Sequence, residues 1–187
     1  MDEPSGELNV RGSREGFVEV IRRNMALIRR RIKSPTLVFE MMVIGERSNT
    51  DICLCYLSDK ASPKLLEDVK KRLKAVKLNT ILESGYLQPF FEGSGGWFFS
   101  ECGTCERPDS FAAKLYEGRI GILVDGTPFA LTVPYLFIEN FQTLDDYTQK
   151  PFYALFIRIV RLAAYFITLF LPGAYVAIAS YLSLIHI

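Results

Sequence analysis

Few residues in this chain are able to do chemistry. Cysteines stand at 53, 55, 102 and 105, and the one histidine, His186, lies in the closing apolar stretch. With no histidine in the polar part, Ser-His-Asp and Cys-His catalysis and histidine-containing metal sites have no basis there. Most hydrolase chemistry is thereby removed. Cys102 and Cys105 form a C-x-x-C. Cys53-x-Cys55 on a strand would point both thiols to one face, so the four could complete a tetrahedral zinc site. The plainer reading makes Cys53 and Cys55 small core residues and the second pair incidental to a loop. A thioredoxin-like role needs the C-x-x-C at a helix start after a strand, which is not its context. Acid pairs such as Asp145 with Asp146, or Glu106 with Asp109, read as solvated or capping groups rather than a catalytic dyad. No G-x-x-x-x-G-K-S/T loop occurs, and Gly93, Gly95 and Gly96 do not lie between a buried strand and a helix. Nucleotide binding has no support, and no cofactor is expected.

The elements that would position these residues can be read from periodicity. Ser13 as an N-cap and Glu15 at the positive end of the dipole predict a helix through about Ile32, with Phe17, Ile21, Met25, Ile28 and Ile32 on one stripe. Its other face carries Arg22, Arg23, Arg29, Arg30 and Arg31, with Glu19 spaced to pair with Arg23. That face is either solvated or drawn to anionic lipid. LVFEMMVIG, 37–45, reads as a strand buried on both faces, ERSNT as a turn, and ICLCYL, 52–57, as the second strand of a hairpin. Ser62 and Pro63 start a second amphipathic helix, with Leu66, Val69, Leu73 and Val76 at helical spacing.

TILESGYLQPFF is ambiguous, and FEGSGGWFFSECGTCE predicts a long loop. Its Trp97, Phe98 and Phe99 either touch a partner or the membrane surface, or fold back on the core. Pro108 with Asp109, and then Gly118, delimit a short helix. RIGILVDGTPFALTV predicts a hairpin of strands 120–124 and 129–133, with Asp125 and Gly126 supplying positive φ angles at the turn. A short helical stretch over 134–147 follows. The order helix, hairpin, helix, loop, helix, hairpin, helix predicts an α+β layer structure of two similar units.

A length of 187 residues fits one domain and a tail. All 22 Lys and Arg and all 21 Asp and Glu precede Leu162, leaving a net charge of +1 and no reason to expect a nucleic-acid partner. The opening residues lack the apolar core of a secretory signal, and four clustered cysteines do not make a secreted disulfide framework. A cytoplasmic, reducing setting is expected. From Leu162 to Ile185 no side chain is charged, and about 20 apolar residues suffice to cross a bilayer. Lys150, Arg158 and Arg161 precede this run and no cation follows it, so the positive-inside rule keeps the N-terminal side in the cytoplasm. Pro172 and Gly173 fall mid-span, where neighbouring helices can satisfy the freed backbone groups. Tyr153, Phe156, Tyr165 and Phe166 suit an interfacial belt. The expected organisation is a cytoplasmic mixed helix and sheet domain over 1–150, then a juxtamembrane segment and first transmembrane helix over 151–187. Arg158, Arg161 and Pro172 mark the membrane entry. The rival reading is a tail-anchored cytosolic metal-binding or enzymatic domain using the four cysteines.

Six stretches, GSREGFVEVIRRNMALIRRRIKSP, VIGERSNTDI, ILESGY, ERPD, YEGRIGILVDGTPFALTVP and FIRIVRLAAYFITLFLPGAYVA, occur in that order. Together they resemble the A subunits of bacterial spore germinant receptors, the GerA spore germination family. The resemblance implies a non-enzymatic protein of the inner spore membrane with a cytoplasmic N-terminal domain, B and C partner subunits, and homo-oligomeric A subunits thought to form an ion path. It also implies a further N-terminal subdomain before the GSREGF motif and more spans after the first. Within the matched motifs, Glu83, Glu106, Arg107, Asp109, Glu117 and Arg119 are candidates for a polar network or a subunit contact.

Overall fold

The computed structural model describes residues 13–92, 100–142 and 150–185. Expectations for Gly93, Gly95, Gly96, Trp97, Phe98, Phe99, Asp145, Asp146 and His186 fall outside the described residues. The chain divides into two compact units, Met1–Phe137 and Ile138–Ile187.

In the first unit, α1 (Ile21–Arg31) leads into β1 (Leu37–Ile44) and β2 (Thr50–Leu57), followed by α2 (Pro63–Lys74). A 3-10 turn at Ser84–Leu87 and the short α3 (Gln88–Phe91) resolve the ambiguous TILESGYLQPFF stretch as helical. Then come β3 (Gly103–Cys105), α4 (Pro108–Tyr116), β4 (Ile120–Val124) and β5 (Ala130–Val133). The five strands form one sheet in the order β1-β2-β4-β5-β3. Every pairing is antiparallel. The α+β class stands.

Alternation of side chains along the strands splits the core into two layers. On one face Cys53, Cys55, Leu57, Leu123 and Ala130 pack with Ile21 and Ile28 of α1 and Phe111 and Leu115 of α4. On the other, Ile52, Leu54, Ile120, Ile122, Val124 and Leu131 meet Val69 and Leu73 of α2, with Leu87 and Phe91 completing the cover. Helices therefore lie on both faces of the sheet, and β4 and β5 are buried along their whole length.

Four details differ from expectation. First, α1 starts at Ile21, and residues 13–20 run without helix before it. Asp125 Oδ1 accepts the Ile21 N–H at 3.0 Å, so the cap comes from the β4–β5 turn rather than from Ser13. Buried Asn24 holds the preceding segment through both its amide atoms, accepting from Val18 N at 2.9 Å and donating to Val18 O at 2.6 Å. Glu19 stands before the helix, so the i,i+4 geometry with Arg23 does not form. Second, β1 is an edge strand, and Met41 and Val43 are 48% and 59% exposed rather than buried on both faces. An apolar run does not reveal whether a second strand or a helix covers it. Third, in the β4–β5 connection only Gly126 takes a positive φ, 87°, and Asp125 does not. Five residues separate the strands, so the loop is longer than the two-residue turn that requires both. Fourth, C-x-x-C residue Cys105 lies in β3, an added edge strand rather than a loop.

Helix α4 begins with Pro108 in its first turn. It stops where Gly118 adopts φ 88°, with Lys60 O only 2.7 Å from where a Cβ would stand, a position that glycine alone fills without strain.

After β5, a 3-10 turn at Phe137–Phe141 replaces part of the helical stretch expected over 134–147, and 143–149 are outside the described residues. Helix α5 (Pro151–Ile185) is 35 residues long and continues through Pro172. Its apolar side chains stay exposed, Phe152 at 88%, Phe170 at 65% and Tyr175 at 73%. Stretch Pro151–Tyr181 is long and apolar enough to cross a membrane.

Candidate interaction site

The matched motif ERPD supplies the start of α4. Arg107, only 1% exposed, forms a forked pair with Asp109, Nε to Oδ1 at 3.0 Å and Nη2 to Oδ2 at 2.5 Å. Two parallel donor contacts of a guanidinium to a carboxylate fix both groups in orientation as well as in charge. Asp109 Oδ1 also accepts the Ser110 N–H at 2.9 Å, as suits an acid in the first turn of a helix. Burial alone would raise the Asp109 carboxyl; the bonds from Arg107 and Ser110, with the charges of Arg107 and Arg31, outweigh it and hold the group below the usual carboxylate range.

Beside this pair, the last turn of α1 brings up Arg30 and Arg31. Glu15 binds both, contacting Arg30 closely and Arg31 Nη2 at 3.2 Å, and Arg31 Nη2 also donates to Ser13 Oγ at 2.7 Å. The Phe17 N–H donates to Glu106 O at 2.8 Å, which lays the segment before α1 against the start of α4. Phe17 and Phe111 meet edge to face at 5.5 Å beneath it. Arg30, Arg31, Asp109, Ala112, Ala113 and Tyr116 line an open groove of about 590 Å³. Its lining joins three charged side chains to two alanines and a tyrosine.

The other expected site residues separate from this groove. Glu117 and Arg119 pair at 2.8 Å at the far end of α4, where Arg119 Nη1 also donates to Pro134 O at 3.3 Å. Glu83 precedes the 3-10 turn at Ser84–Leu87, where its carbonyl accepts the Tyr86 N–H at 3.2 Å. So the six candidates fall in three places. Sequence reasoning missed Arg31 as a charge acting on Asp109 and Glu15 as the partner of Arg30 and Arg31, because nothing local links positions 15, 31 and 109. Asn24 left a visible sign, an amide on the buried stripe of α1.

The four thiols are divided between the two core layers. Cys53, Cys55 and Cys105 lie in the α1 and α4 layer and Cys102 in the α2 layer, so the tetrahedral arrangement is not formed. Cys53 and Cys55 sulfurs stand 3.8 Å apart. Burial, reinforced by the Cys53 thiol, pushes Cys55 well above the ordinary thiol range. Burial, with the Glu92 charge adding to it, pushes Cys102 up to about 12. Neither is a nucleophile at neutral pH.

In the second unit Arg161 Nη1 donates to Phe141 O at 3.1 Å. Aromatic rings of Phe141, Tyr165, Phe166 and Phe170 then follow one another at 5.2, 5.6 and 6.3 Å between centroids. Arg158 and Arg161 lie in the first three turns of α5 and Pro172 beyond its middle.

Comparison with known proteins places this architecture. The family model described as Bacillus/Clostridium GerA spore germination protein matches residues 1–185. Spore germination protein KA of Bacillus subtilis (strain 168) is 42% identical over 181 residues, 97% of this chain and 33% of that protein. Uncharacterized membrane protein YfkQ of the same organism is 41% identical over 97% of this chain and 35% of its own length. The chain thus spans about a third of the curated relatives it matches. The crystal structure of the N-terminal domain of the A subunit of the Bacillus megaterium spore germinant receptor GerK3 is similar at 44% identity and a TM-score of 0.53, over 66% of this chain and 98% of that one. Antiparallel body, apolar helix and family match agree, and the chain belongs to the GerA family of spore germination proteins.

Proposed function

We propose that this sequence is the N-terminal region and first span of a germinant receptor A subunit, passing a nutrient signal by conformational coupling and performing no chemistry of its own. Residues 1–150 lie in the cytoplasm, and α5 crosses the inner spore membrane with Lys150, Arg158 and Arg161 on the cytoplasmic side. B and C subunits and further copies of the A subunit are its partners, and the assembled A subunits contribute to an ion path. Buried Arg107 acts through Asp109 as an internal brace, while Asp109, Arg30 and Arg31 offer a polar subunit contact at the groove; Glu83, Glu106, Glu117 and Arg119 serve as further polar contacts. One observation carries this reading: a single chain joins a body similar to the GerK3 A-subunit domain to an exposed helix of spanning length, within one family match.

The test is genetic. In spores stripped of their other germinant receptors, the intact gene containing this sequence should confer loss of optical density on at least one member of a panel of amino acids, sugars and nucleosides. Its deletion should abolish that response and complementation restore it. An unchanged response across the whole panel after deletion would contradict the reading.

A further inference from the structure

Helix α1 carries charge of one sign. Between Ile21 and Lys33 stand six cations, Arg22, Arg23, Arg29, Arg30, Arg31 and Lys33, and no carboxylate. Because Ile21, Asn24 and Ile28 turn inward, Arg22, Arg23, Arg29, Arg30 and the following Lys33 share exposed surface around Ala26. At 3.6 residues per turn Arg22, Arg23, Arg29 and Arg30 fall within an arc of about 120° centred on that alanine, and Lys33 follows beyond the helix end. Among the described residues, one carboxylate forms an ion pair with the cluster, Glu15 on Arg30 and Arg31. Arg29 bonds only neutral acceptors, Ser34 O and Leu37 O, and lies 5.0 Å over the Phe39 ring, so its charge is not cancelled. Arg22, Arg23 and Lys33 have no side-chain partner among the described residues.

The whole chain is close to neutral at +1, so this face reflects segregation of charge rather than excess. A solvated helix gains nothing from concentrating cations on one face, because like charges repel one another. A surface of opposite charge reverses that sign. The apolar α5 in the same chain supplies one nearby, since a tethered face meets its membrane at high effective concentration. We infer that the basic face of α1, centred on Ala26, docks on anionic phospholipid headgroups of the membrane that holds α5. Each cation brought to such a surface strengthens docking about fivefold, and the attraction decays within a Debye length. Docking depends on α5 lying in the bilayer, and the experiment separates the two.

The full chain with Ala26→Cys, its native thiols all buried, is labelled with a bimane and reconstituted in nanodiscs. The discs contain phosphatidylcholine alone or phosphatidylcholine with phosphatidylglycerol, each with a nitroxide headgroup quencher. Quenching is expected in the anionic discs at low salt, reversed by high salt and absent from neutral discs. The combined variant Arg22→Gln, Arg23→Gln, Lys33→Gln should lower the docked-to-free ratio by on the order of 100-fold. Incorporation without quenching in anionic discs overturns the docking and leaves the span intact. Equal, salt-insensitive quenching in neutral discs, as a second copy or plain apolar contact would give, overturns it too. Recovery of the chain outside the discs overturns both docking and span.

Discussion

At the scale of single residues, the ERPD motif is a brace whose strength depends on pH. Asp109 titrates below its unfolded value because Arg107 and Ser110 favour the carboxylate more than burial disfavours it. A depressed folded pKa contributes stability that is fully present above the unfolded value near 4 and is lost as pH falls through the folded one. Asp109→Asn leaves the buried guanidinium facing a neutral amide. It should destabilise the first unit by about 2 kcal/mol at pH 7. Near-UV circular dichroism of thermal unfolding at pH 7 and below pH 4 checks this: the gap between variant and parent should narrow in acid. The sequence marked Arg107, Asp109, Glu117 and Arg119 as polar-network candidates, and the pairs they form, Arg107 with Asp109 and Glu117 with Arg119, lie two residues apart. Arg31 was not so marked, because its place beside Asp109 exists only once α1 packs on α4.

At the scale of elements, the same rule separates what could be read from what could not. Helices α2 and α4 announce themselves through a proline in the first turn, and α4 also through a glycine stop, both local signals. The start of α1 does not, because its cap, Asp125, is 104 residues away in sequence. Nor does a run such as LVFEMMVI say whether it will be central or an edge, since that depends on strand order. Three-residue β3, inside a Gly-rich stretch, carries no periodicity to detect. Packing between elements is close where Phe111 of α4 lies over Gly121 of β4. A Cβ there would stand 2.0 Å from Phe111 Cζ. Gly121→Ala should therefore cost about 3 kcal/mol, and the added substitution Phe111→Leu should return part of it, because the two side chains contend for one space. Urea unfolding of the single and double variants measures the coupling; strict additivity would show that the contact is not limiting.

For the whole molecule, a three-layer antiparallel body and a 35-residue apolar helix make different demands on solvent. The body buries β2, β4 and β5 between its helices. The helix leaves Phe152, Phe170 and Tyr175 mostly uncovered, and in water that exposed surface would drive aggregation. Its uncharged stretch was fully legible, because crossing hydrocarbon demands length and apolarity and little else. The account stands on that helix residing in a bilayer. Expressed in cells, the chain should remain in the membrane pellet after alkaline carbonate extraction and enter solution only with detergent; release by carbonate as a detergent-free monomer would contradict it.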